Sequence, residues 1–121
     1  MEKKVIGIVD DEEDVISILS MVLRSNGYDV LVSSDGTRVN ELVGKHPDLL
    51  LMDINMKGIK GTDICRFLKQ NKNTSGLPII MMSGNDDVAA QAGRCHAESF
   101  IEKPFHMDDL LSKIRFYTSA A

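Results

Sequence analysis

The chain has no tryptophan, two tyrosines and four phenylalanines in 121 residues, so it lacks the aromatic platforms on which nucleic-acid bases stack. A surplus of positive charge is also missing. Fourteen Lys and Arg face eighteen Asp and Glu, a formal net charge of −4, and direct binding of DNA or RNA is not expected. Cysteine is sparse. Cys65 and Cys95 are far apart in sequence and form no CxxC pair, which predicts two free thiols in a reducing compartment. Long apolar runs are absent too. The longest, over 77–82, is about six residues, against roughly twenty for a membrane span. Val5–Val9, behind Lys3 and Lys4, is too short for a signal-peptide core, and acids follow at once. The expectation is a soluble, cytoplasmic protein.

Several catalytic signatures are absent as well. No GxxxxGK(S/T) loop, GxGxxG turn or GxSxG elbow occurs, which leaves out the usual nucleotide, dinucleotide and serine-hydrolase sites. Gly58 and Gly61 read as turn glycines. His46, His96 and His106 lack metal-ligand spacing and read as surface or turn residues, and the seven methionines read as core filler.

What is present has the balance of one globular domain over residues 1–121: 43% apolar and 26% charged. Short β-rich runs occur at 5–9, 30–32, 49–52, 79–82 and 100–101. Between them lie helical patterns. Val15, Ile18, Leu19, Val22 and Leu23 recur at helical spacing and are closed by Gly27. Val39, Leu42 and Val43 make a short helix stopped by Gly44 and Pro47. Ile64, Phe67 and Leu68 mark a third, and 88–95 is an alanine-rich fourth. Met107, Leu110, Leu111, Ile114 and Tyr117 define the last, with Asp108 and Asp109 in its first turn. Five strands alternating with five helices predict an α/β fold, an open, doubly wound parallel sheet with helices on both faces.

The informative residues follow the strands. The first run ends in Asp10 and Asp11, the third in Asp53 and the fourth in Ser83, and the fifth leads into Lys103-Pro104. In such a sheet these positions share the carboxyl edge, where ligands bind. Asp and Asn often end strands because they favour turns, but five such residues on one edge ask for a common cause. Three clustered carboxylates repel. A hard divalent cation with oxygen ligands, here expected to be Mg²⁺, removes that cost. Ser83 and Lys103 then look like the groups that meet phosphoryl oxygens, one by a hydrogen bond and one by charge.

These residues resemble the receiver domain of two-component response regulators, of the chemotaxis-regulator kind. The likeness rests on Asp10-Asp11, on Asp53 within D-I-N-M-K-G-I-K-G, on Ser83-Gly84 and on F-I-E-K-P-F at 100–105. It implies a flavodoxin-like, three-layer fold with strand order 2-1-3-4-5. It further implies a phosphoacceptor signalling switch rather than an enzyme. Asp53 would be the acceptor. Asp10, Asp11, Asp53 and the backbone carbonyl of Asn55 would hold Mg²⁺, with Asp10 acting largely through a bound water. Ser83 and Lys103 would bind the phosphoryl group, Phe100 would be the rotating aromatic, and the bond before Pro104 would be cis. The implied donor is a sensor histidine kinase or histidine phosphotransfer protein. The implied receiver of the signal is a downstream protein or effector domain, reached through helix four, strand five and helix five.

Three positions depart from the family pattern. Lys57 stands where proline is usual, His96 where glycine often closes the fourth helix, and Ala97-Glu98-Ser99 lacks the usual paired Asp. Two rival readings weaken on single residues. A Mg²⁺-dependent aspartyl phosphatase wants an acid two residues past its nucleophile, where this chain has Asn55. A flavin module wants a phosphate loop after the first strand, where acids stand. A scaffold that keeps the fold without being phosphorylated stays open.

Overall fold

The computed structural model describes residues 3–84 and 88–119. Five strands, β1 (Val5–Val9), β2 (Asp29–Ser33), β3 (Leu49–Asp53), β4 (Ile79–Ser83) and β5 (Ser99–Glu102), form one parallel sheet in the order β2-β1-β3-β4-β5. The helices are α1 (Glu13–Ser25), α2 (Val39–Val43), α3 (Gly61–Gln70), α4 (Val88–Arg94) and α5 (Met107–Thr118), with a 3₁₀ turn at Gly36–Arg38. The open, doubly wound parallel sheet is the one expected of the strand and helix rhythm, and its flavodoxin-like order is the one the resemblance implies.

The layering follows from side-chain alternation. Every residue of β3 is buried. Leu49 and Leu51 point to one face, where Leu19 and Leu23 of α1 and Leu110, Leu111 and Ile114 of α5 cover them. Leu50 and Met52 point to the other, under Leu42 of α2, Ile64, Cys65 and Leu68 of α3, and Ala92 of α4. A strand buried on both faces carries no polar alternation, which is why these runs read as continuous apolar segments.

Helices bury one stripe only, and some apolar residues of the sequence pattern fall off it. Ile18 and Phe67 are 48% and 55% exposed, each one residue, hence about 100° around the helix, from a buried leucine. Met21 is 64% exposed, so it is no core filler, whereas Met52, Met56, Met81 and Met82 are buried. A two-stranded ribbon, Asn55–Met56 paired with Ile59–Lys60, was not legible in the sequence; Gly58 takes φ 74° in its turn. Gly27 follows α1 with φ 90°, and His46 and His96 take φ 58° and 65°, the left-handed region that, among residues other than glycine, Asn, Asp and His enter most readily.

A polar clamp joins α3 to the start of β4 and β5. The Lys69 ammonium donates to the carbonyls of Ser75 (3.2 Å) and Leu77 (2.7 Å) and to Glu98 Oε2 (2.7 Å). Its side chain is only 7% exposed. The other oxygen of Glu98 accepts from the Ile79 backbone N–H, and the Tyr117 hydroxyl donates to the Glu98 carbonyl.

Candidate functional site

Strand register assembles the site. Val9 pairs with Met52, so the next residues, Asp10 and Asp53, leave the sheet side by side. Asp53 pairs with Met82, and Ser83 with Glu102, which delivers Ser83 and then Lys103 to the same edge. The ladder runs on past the strand ends: the Ile54 N–H donates to the Met82 carbonyl and the Lys103 N–H to the Ser83 carbonyl, at 3.0 and 2.9 Å. Between β1 and β3 the chain's crossovers diverge to opposite sides, the place where an open α/β sheet leaves a crevice.

At its floor, Asp10 is fully buried and Asp53 is 5% exposed. The Lys103 ammonium lies 2.9 Å from Asp10 Oδ2, 3.4 Å from Asp53 Oδ1 and 3.5 Å from Glu12 Oε1. Asp10 Oδ1 accepts from the Glu12 backbone N–H at 2.9 Å. Asp11 is half-buried, and its Oδ2 accepts from the Lys57 backbone N–H at 2.9 Å. Asp10, Asp11 and Asp53 each offer an oxygen within 4.8 Å of the others. That is a set of hard, anionic donors of the kind that holds a small divalent cation. Ser83 is buried beside them at the end of β4. Asn55 begins the ribbon two residues past Asp53, and its side chain is exposed. Phe100 stands apart from the acids. It is half-buried against the α3 and α4 side of the core, with Lys113 Nζ 5.8 Å from its ring centre. The Lys103–Pro104 bond is cis.

The electrostatics follow from burial and from the count of charges. Burial pushes the Asp53 carboxyl up to about 6; the Lys103 charge opposes the rise, and Asp10 and Asp11 add to it. Burial works against the Lys103 ammonium, but its hydrogen bond to Asp10 and the charges of Asp53, Asp10 and Glu12 outweigh that and hold its pKa above the ordinary lysine value.

Stability should report the Asp53 shift. Between the ordinary value of 3.8 and about 6, the folded carboxyl keeps a proton that the unfolded chain releases. Stability therefore falls as pH rises through that window. The loss is about 2–3 kcal/mol. In metal-free urea titrations at pH 5 and 7, wild type should lose more stability between the two than Asp53→Asn does. Equal losses would remove the burial argument.

Gly61 is needed for close approach rather than for a turn. It begins α3, and its N–H donates to the Ile54 carbonyl at 2.7 Å. A Cβ there would lie 2.0 Å from the Asp53 carbonyl oxygen. Backbone cannot give way as a flexible side chain can. Gly61→Ala should cost at least about 1–3 kcal/mol in urea unfolding. An unchanged midpoint would show that the strand end tolerates the shift.

Two features of the site had no signal in residue type. One is the backbone N–H of Lys57 on Asp11; the other is Glu12 as a third carboxylate on Lys103. The profile of the response regulator receiver domain matches residues 6–115. The chain belongs to that family. The receiver domain is 34% identical over 114 residues to the DNA-binding response regulator MtrA of Mycobacterium leprae, covering 89% of this chain and 48% of that protein. It thus spans about half the length of the curated relatives it matches. Its fold superposes on a candidate response regulator of Chloroflexus aurantiacus J-10-fl with a TM-score of 0.92, at 28% identity, over 98% of this chain and 100% of the other. The chemotaxis response regulator CheY4 of Vibrio cholerae shares the fold, with a TM-score of 0.86 at 21% identity over 96% of this chain and 99% of that one. Receiver domains serve signalling rather than catalysis in general, and the acidic cluster of this one fits the family's phosphorylation site.

Proposed function

We propose that this receiver domain takes a phosphoryl group from a phosphohistidine of a partner kinase or phosphotransfer protein onto Asp53. The observation that carries the reading is Lys103 Nζ held between Asp10 and Asp53 at 2.9 and 3.4 Å, at the topological switch point. An Asp53 oxygen attacks phosphorus in line. The P–O bond forms as the P–N bond breaks, and the imidazole leaves with the bonding electrons. A buried carboxylate with a pKa of about 6 is ionised at neutral pH yet more basic than an exposed one, which suits a nucleophile. Lys103, already beside the acceptor, meets the equatorial oxygens as charge spreads over them. Asp10, Asp11, Asp53 and the Asn55 carbonyl are the residues that would hold Mg²⁺, and the ion would neutralise carboxylate and phosphoryl charge.

After transfer, Ser83 donates to the phosphoryl group, and Phe100 moves to fill the space behind it. Ser83 follows Met81 by two residues on β4, and Met81 pairs with Phe100, so the two side chains lie on the same face of the sheet. The face of α4, β5 and α5 then differs between states and is read by a downstream protein or effector domain. We assign the domain to the cytoplasm; no helix among the described residues is long and apolar enough to cross a membrane. Its net charge of −4 gives this domain no net positive field for nucleic acid.

The test is incubation with Mg²⁺ and a small phosphodonor such as acetyl phosphate, read by intact mass. Gain of one phosphoryl group per chain supports the switch. Steady turnover of phosphomonoesters without a labelled intermediate supports a phosphatase. No reaction with small donors or with a phosphorylated kinase supports an unphosphorylated scaffold.

A further inference from the structure

Outside the acidic site, the fold brings together two residues that the sequence keeps apart. Cys65 lies on the buried face of α3, and Cys95 is the first residue after α4; both are fully buried. The Cys65 thiol donates to the Cys95 carbonyl at 3.4 Å, and the Cys95 thiol to the Ala92 carbonyl at 3.4 Å. The two thiols are close enough to perturb each other's ionisation. Around them α4 is thinly anchored. Ala89, Ala90, Gly93 and Arg94 are exposed, and Ala92 is the one buried side chain of the helix among its described residues. A helix held by so little apolar area opens at low cost, which gives a small oxidant access.

We propose that Cys65 and Cys95 are an oxidisable dithiol, forming a reversible disulfide that ties α3 to the end of α4 when the domain meets a peroxide. The chemistry balances in two steps. The Cys95 thiolate attacks one peroxide oxygen, the O–O bond breaks, and a sulfenic acid and hydroxide result. The Cys65 sulfur then displaces the sulfenic oxygen, the S–S bond forms, and water leaves with the Cys65 proton. Two thiols are oxidised by two electrons, and one peroxide is reduced. The neighbouring Cys65 favours the Cys95 thiolate and lowers the Cys95 pKa, while that neighbour and burial hold Cys65 protonated. Cys95 follows the thinly held α4 and is uncovered when that helix opens, so Cys95 attacks and Cys65, within α3, resolves. The cross-link joins residues thirty apart in sequence and removes the opening motion of α4 from the folded domain. Its formation requires no acceptor at Asp53.

The experiment treats the reduced full chain with hydrogen peroxide, quenches, unfolds, alkylates and measures intact mass. The expected product is about 2 Da lighter than the reduced protein, with both thiols blocked together and both regained on reduction. Peptide mapping should join the segments holding Cys65 and Cys95, and Cys65→Ser or Cys95→Ser should show no such loss. Amide exchange across residues 88–97 should slow in the oxidised form. The proposal is overturned if wild type only gains oxygen atoms, if it forms disulfide-linked dimers instead, or if both thiols survive peroxide and alkylate after unfolding.

Discussion

Asp53→Asn is expected to lower phosphoryl uptake by on the order of 10²-fold or more while leaving a folded, and in metal-free buffer more stable, domain. The carboxamide has nearly the shape of the carboxylate but no anionic oxygen to attack phosphorus. The fold should survive because the amide side chain would keep the strand-end geometry, and Lys103 would keep its shorter bond, 2.9 Å to Asp10. The stability gain has a separate origin. Asp53 is 5% exposed and ionises only against burial and two neighbouring acids, so removing the charge relieves a strain of about 2–3 kcal/mol at neutral pH. Intact mass after acetyl phosphate treatment reads the first effect, and urea unfolding without metal reads the second. Label retained at the wild-type rate would move the acceptor elsewhere, with Asp10 and Asp11 the next residues to map.

A second large effect is expected at Lys103. Lys103→Met leaves the Asp10 carboxylate fully buried, with the Glu12 N–H still donating to Oδ1 but no ammonium on Oδ2. Breaking a buried pair by removing one partner typically costs about 3–5 kcal/mol, because the other charge stays behind uncompensated. Added Mg²⁺ should restore part of that loss. A ligand at a hundred times its Kd contributes about 2.7 kcal/mol to any protein that binds it, and a site stripped of its ammonium gains more from a cation than the wild-type site does. Paired urea titrations with Mg²⁺ and with chelator test this. The variant should show the larger difference between the two conditions; an equal difference in variant and wild type would mean that Lys103 and the metal do not share the same carboxylates.

The strand ends were legible because a buried parallel strand is written in continuous apolar residues and stops where polarity returns. Asp10, Asp53, Ser83 and Lys103 stand at those stops, so sheet topology alone brought them to one edge. What the sequence hid were contacts made by backbone or set by approach distance. Lys57 was conspicuous as a non-proline in its loop. Its contribution is the N–H that proline lacks, given to Asp11 at 2.9 Å, and no side-chain pattern encodes that. Gly61 read as a turn glycine, but the reason for it is a carbonyl 2.0 Å from where a Cβ would sit. Glu98 falls where the family pattern has acid residues, and it serves here as the acceptor for Lys69 and the Ile79 N–H. Cys65 and Cys95 looked unrelated because the residues between them fold across the sheet and back.

The clamp on Lys69 also gives the domain a built-in chemical reporter. An ammonium has three hydrogens, and here three oxygens receive them, from Ser75, Leu77 and Glu98. An acylating reagent needs the amine open to approach, and Lys69, 7% exposed and held by three oxygens, is closed to it while the clamp holds. Exposed lysines such as Lys4, Lys45 and Lys72 would be modified first, and Lys69 would stay unmodified until the loop before β4 and the entry to β5 part. Its acylation rate therefore times that separation with a side chain the domain already carries.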